Sequence, residues 1–117
     1  MQIPLQVTFR SMAHSDALAT RVEERADKLD ELSNRLISCH VVVELAGHHH
    51  RDGDRFHVTV NVGLPGEELI ASRESSEGDT AGRARAAADG AFDEIERQLE
   101  DWVGRQRDHR HERHSHS

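Results

Sequence analysis

Arg21, Arg25 and Lys28 stand at i, i+4 and i+7, the spacing that sets three side chains on one face of an α-helix. Cations arrayed in this way can contact successive phosphates, or they can pair with acids such as Glu24, Asp93 and Asp101. The spacing alone leaves both readings open. Arg97 and Arg105, with Arg83 and Arg85, lie on or just beyond a second helical stretch. If the two helices pack side by side, the two basic rows would form one phosphate-contacting surface. Seven of the ten histidines fall in two clusters, His48, His49 and His50, and His109, His111, His114 and His116. Imidazoles bind Zn, Ni or Cu, but three adjacent histidines and an interrupted tail match no closed metal site. They read as solvated residues with incidental metal affinity, and no cofactor is expected.

Catalytic chemistry has little to stand on. Gly78 and Gly82 are too sparse for a phosphate-cradling loop and no Lys follows them; there is no nucleophile elbow and no paired-cysteine metal spacing. The single Cys39 alternates inward on a strand and reads as a buried structural thiol, unable to form an internal disulfide and suited to a reducing compartment. The protein is therefore expected not to be an enzyme. With 117 residues, 35% hydrophobic and 32% charged, the chain fits one small domain. Aromatics are 3% of it and Tyr is absent, which disfavours base stacking on an aromatic platform. Neither a membrane span nor a signal peptide is visible, so a cytoplasmic location is expected. The net charge of -7 argues against grip on nucleic acid by bulk charge, and DNA is not an expected partner. From Gly104 to Ser117 four arginines face Asp108 and Glu112, a local excess of two positive charges, so the preceding residues carry -9.

The elements that must position these residues follow from periodicity. Leu5, Val7 and Phe9, preceded by Ile3, alternate with polar residues as a strand. Ser15 is a candidate N-cap for a helix over roughly 16–32, with Leu18, Val22, Ala26 and Leu29 as its apolar stripe. Cys39, Val41, Val43 and Leu45 form a second strand, and a polar loop over 47–54 leads to a third through Phe56, Val58, Val60 and Val62. Gly63-Leu64-Pro65-Gly66 is a turn into a short fourth strand at about 68–73. A second helix, capped by Asp79 or Thr80, carries Ala84, Ala88, Phe92, Ile95, Leu99 and Trp102 and is expected to end near Gly104. The order β-α-β-β-β-α predicts an α+β two-layer sandwich: a four-stranded mixed sheet with both helices on one face. Residues 1–103 form the domain, and 104–117 are expected to be a His/Arg-rich disordered tail because no apolar residue anchors them.

On these residues the sequence resembles the short form of the ribosome hibernation promoting factor family, which includes the ribosome-associated inhibitor and proteins described as sigma-factor modulators. The resemblance spans about Gln2 to Trp102. It is carried by Ser15-Asp16-Ala17-Leu18, Val22-x-x-Arg25-Ala26-x-Lys28-Leu29, the valine-rich strand after Cys39-His40, and Leu64-Pro65-Gly66 before Leu69-Ile70-Ala71-Ser72. Ala86-Ala87-Ala88-Asp89 leading to Ile95-Glu96-Arg97-Gln98-Leu99 completes it. It implies a non-enzymatic factor that binds the small ribosomal subunit and its rRNA under stress or in stationary phase and inhibits translation. Arg25, Lys28, Arg97 and Arg105 match basic positions of the family, and Arg21 joins them by spacing. The sequence departs from the pattern at Glu31, Glu94 and Asp101, where basic residues are common, and at Arg85, which replaces an aromatic. These acids favour an alternative, a protein- or metal-binding interaction module on the same fold.

Overall fold

The computed structural model describes residues 4–49, 53–75 and 80–115. Its elements are β1 (Leu5–Arg10), α1 (Asp16–Leu32), β2 (Ser38–His49), β3 (Gly53–Leu64), β4 (Glu67–Ser75) and α2 (Thr80–Ser115). The sheet order is β1-β2-β3-β4. β1 runs parallel to β2, with Val7 opposite Val41 and Phe9 opposite Val43; β2, β3 and β4 form an antiparallel meander. Both helices lie on one face, as the single apolar face of the sheet requires.

Alternation decides which side chains enter the core. Cys39, Val41 and Val43 of β2, Phe56, Val58, Val60, Val62 and Leu64 of β3, and Leu69 and Ala71 of β4 are all buried. Against them α1 places Leu18, Val22, Ala26 and Leu29, and α2 places Phe92, Ile95, Leu99 and Trp102. Full burial of each large aliphatic or aromatic side chain contributes about 1.5–3 kcal/mol. Ala84, Ala87, Ala88 and Ala91 are buried too, and such small side chains let the α2 backbone approach the sheet closely.

Local signals set the boundaries. Ser15, in extended conformation, accepts a hydrogen bond at its Oγ from the Leu18 N–H at 3.2 Å, satisfying one of the free donors of the first turn. Between β3 and β4, Pro65 fixes its own φ and Gly66 takes φ +75°, the left-handed value a type II turn requires there.

Three boundaries differ from expectation. Much of the segment over 47–54, read as a loop, is strand: pairing passes from Ala46–Arg55 to His49–Gly53 through a register shift, which absorbs the mismatched residues as a bulge does. β4 is longer than expected because its ladder with β3 continues to the Phe56–Ser75 pair. The expected end of α2 near Gly104 and the disorder beyond it are replaced by helix to Ser115. One Gly costs only about 1 kcal/mol in a helix, and Arg, Gln and Glu, which supply much of the segment, are good helix formers. Among the described residues no helix is long and apolar enough to cross a membrane.

Candidate functional site

Rigid packing of α1 beside α2 assembles the site. The polar contacts between them ascend together in both chain segments, Arg21 to Asp89, Arg25 to Asp93 and Lys28 to Glu96, so the helices run in the same direction. Asp89, Asp93 and Glu96 stand at i, i+4 and i+7, the same spacing as the three cations they meet. The sequence reading missed Asp89 and Glu96 as partners. The matched spacing was the signal that would have found them.

Arg25 is the centre of this seam. Its side chain is only 8% exposed, and it donates from Nη1 to Asp89 Oδ1 at 3.0 Å and from Nη2 to Asp93 Oδ1 at 2.7 Å and Glu96 Oε2 at 2.9 Å. Its guanidinium carbon also lies 5.6 Å from the centroid of the Phe92 ring, within cation–π range. Burial alone would lower the Arg25 pKa, but the hydrogen bonds to Asp93, Glu96 and Asp89 outweigh it and the pKa is raised. Asp89 mirrors this: burial pushes its carboxyl up, and the hydrogen bonds from Arg21 and Arg25 reverse the effect and hold it below its ordinary 3.8. Arg21 donates from Nε to Asp89 at 2.9 Å and from Nη1 to Glu24 at 3.4 Å, whereas Lys28 reaches Glu96 only at 3.9 Å and stays 58% exposed.

The other two predicted cations lie elsewhere. Arg97, 64% exposed, pairs with Glu94 and Asp101 of its own helix. Glu94 in turn faces Arg73 of β4 at 3.5 Å, and the bonds from Arg97 and then Gln98 hold its carboxyl down to about 2. Arg105 reaches Glu67 at the start of β4 at 3.4 Å. The five residues therefore fall into two groups. Arg21, Arg25 and Lys28 face α2 from the α1 side, while Arg97 and Arg105 join the β4 side, so the two basic rows do not meet at the seam between the helices. The reason is that α2 turns its Asp89, Asp93 and Glu96 stripe, not its arginines, toward α1.

The three acids named from the sequence do find cationic partners, by two routes. Glu24 and Asp101 do pair within their own helices, to Arg21 and Arg97, but Asp93 pairs across the seam. Cys39 is fully buried, and burial together with the charge of Asp30 pushes its thiol up to about 12. The side chains of His48, His49, His109, His111 and His114, and all of His50 and His116, lie outside the described residues. Among the described residues, no group of three or more His, Cys, Asp or Glu is placed to hold a metal.

A two-helix, four-strand sandwich with parallel helices on one sheet face is the geometry against which the chain can be compared. Residues 5–107 match the family described as sigma 54 modulation protein / S30EA ribosomal protein. The chain belongs to that family. No curated protein matches it. Among solved structures, this S30EA family member is similar to a ribosomal subunit interface protein from Coxiella burnetii, with a TM-score of 0.69 and 20% identity over 87% of this chain and 99% of that one. It is also similar to the N-terminal domain of Protein Y from Thermus thermophilus, with a TM-score of 0.66 and 26% identity, again over 87% and 99%. The first likeness is one of fold. The family match covers α1, all four strands, α2 as far as residue 107 and every one of the five cations.

Proposed function

We propose that this protein is a non-enzymatic, ribosome-associated factor of the cytoplasm that binds the small ribosomal subunit through its rRNA under stress and inhibits translation. The match of residues 5–107 to the S30EA family is the observation that carries this reading. Residues 1–103 act as the main binding domain and 104–117 as an appendage that contributes Arg105. Lys28, Arg97 and Arg105, each more than half exposed, are the cations suited to direct phosphate contact. Arg21 is partly committed to Asp89 and Glu24. Arg25 acts from beneath, holding α1 against α2 so that the outer cations keep their spacing. Phosphates must compete with Glu94, Asp101 and Glu67 for these arginines, and exposed pairs of this kind are worth at most about 1 kcal/mol, so the exchange is feasible.

A second reading has a specific observation behind it. Within 16–32 six acids accompany three bases, and within 80–103 the ratio is the same. A surface with this excess of acids suits a protein partner, as in an interaction module on this fold. Sedimentation of a stationary-phase lysate through a sucrose gradient separates the two. The wild type is expected with the small-subunit fractions at low salt, moving to the top as salt rises, because each phosphate contact released weakens binding with salt. Replacement of Lys28, Arg97 and Arg105 together by Glu is expected to move it there at low salt. Co-sedimentation indifferent to salt and to the triple substitution would favour the protein partner, and absence from ribosomal fractions would overturn the ribosomal reading.

A further inference from the structure

The two edges of the sheet are finished differently. β4 is guarded: Gln98 of α2 donates to the Ile70 carbonyl at 3.2 Å, Arg105 of α2 reaches Glu67 at 3.4 Å, and Glu68 and Glu74 add charge along the strand. Charged side chains and a covering helix are the means by which an edge strand is kept from pairing with another chain. β1 has neither. Arg10, at its end, is its only charged residue, and among the described residues no strand lies beyond it. Its apolar side chains are also short of cover. Leu5, Val7 and Phe9 are only half-buried, whereas Val41 and Val43, opposite Val7 and Phe9 on β2, are fully buried.

The register shows what this edge offers. In a parallel pair, alternate residues bond to the neighbouring strand. The Cys39 N–H donates to the Pro4 carbonyl, so with Leu5 opposite Cys39 it is Gln6, Thr8 and Arg10 that bond to β2. Leu5, Val7 and Phe9 turn their N–H and C=O groups outward. The same three residues thus supply both the outward backbone groups and the half-buried apolar side chains.

We propose that β1 is the interface of a two-fold dimer, in which a second copy of this chain adds its own β1 antiparallel and joins the two sheets into one. A two-fold axis at Val7 sets Val7 opposite Val7 and Leu5 opposite Phe9. Every outward N–H and C=O of the three then meets a partner, and the apolar side chains share one face. Arg10 lies opposite Pro4, so no like charges meet along the strands. Sliding the pairing by one residue sets apolar side chains against polar ones, and sliding it by two leaves Leu5 or Phe9 unmatched. This self-complementarity selects a second copy over a foreign strand, since an isologous contact requires the same patch to fit itself. Glu23 and Asp30, seven residues apart, lie on the flank of α1 turned away from Arg21, Arg25 and Lys28, where the axis brings them toward their symmetry mates. Their repulsion makes the dimer a weak one.

Sedimentation velocity of the full-length protein from micromolar to millimolar concentration, in moderate salt to screen those acids, tests the proposal together with amide hydrogen exchange followed by NMR at both ends of the range. A reversible monomer–dimer equilibrium is expected. Exchange at Leu5, Val7 and Phe9 should slow at least threefold at the high end, while Gln6, Thr8 and Arg10, already bonded to β2 in the monomer, change less. Val7→Pro removes an outward N–H without touching the bonds to β2, a change that edge strands tolerate, and should leave the protein monomeric throughout. If that variant fails to fold by circular dichroism, the exchange pattern of the wild type still decides. A monomer at every concentration overturns the proposal. So does a dimer in which the Leu5, Val7 and Phe9 amides exchange as fast as in the monomer, or one that persists in a folded Val7→Pro variant.

Discussion

At Arg25 a strong cation is taken almost wholly out of water and given three carboxylates in exchange, of which Glu96 and Asp89 are only 17% and 27% exposed while Asp93 remains open to solvent. The consequence is a pH dependence of stability with a definite sign. Asp89 and Glu94 have folded-state pKa values below their ordinary ones. Their contribution is fully present above the unfolded-chain values and is lost as pH falls through the folded values. Urea midpoints should therefore hold steady down to about pH 4.5 and fall between there and about pH 2, and Asp89→Asn should flatten part of that decline. Cys39 gives a second test at the same scale. With its thiol pushed up to about 12 by burial, it should resist a disulfide reagent at pH 8 in the folded protein and react at once in denaturant. Rapid labelling of the native protein would contradict the burial.

At the scale of elements, Leu99 is the clearest load on α2: it is wholly buried, one turn from Ile95 and Trp102. Leu99→Ala is expected to destabilise by about 2–5 kcal/mol, read as a lowered urea midpoint. Such residues were legible in the sequence because burial follows a period of two in strands and 3.6 in helices, and every strand and both helices were found that way. The ends were less legible. Gly104 and the last apolar residue mark where α2 stops packing, which is a different matter from where its backbone hydrogen bonds stop. Gly47 and Gly53 read as a loop, yet cross-strand pairing carried both strands past the expected ends. The candidate site was half legible for a related reason: spacing within α1 shows that Arg21, Arg25 and Lys28 share a face, but which stripe of α2 meets that face depends on how the two helices are rotated over the sheet, and that is settled by the packing of Phe92 and Ile95.

At the scale of the whole molecule, the body carries its negative charge on the helices while its cations are held in pairs, so association with a polyanion must work by exchange of partners. The order β1-β2-β3-β4 has a further consequence, for the route by which the chain folds. Val62 meets Leu69 and Val43 meets Val58 across short chain separations, whereas Leu5 must find Cys39 after the whole of α1 has been spanned. Loop-closure entropy rises with that span, and non-local pairings form more slowly than local ones. The meander is expected to form first with α2 against it, and β1 with α1 to dock late. The ion-pair seam is then absent from the transition state. Arg25→Met should cost about 2 kcal/mol, less than a fully buried pair because Asp93 is solvated, and in stopped-flow chevrons nearly all of it should show as unfolding about thirtyfold faster with the folding rate little changed. A seam of this kind acts as a latch: it sets how long the native state lasts, and leaves the speed of reaching it to the valines of the sheet.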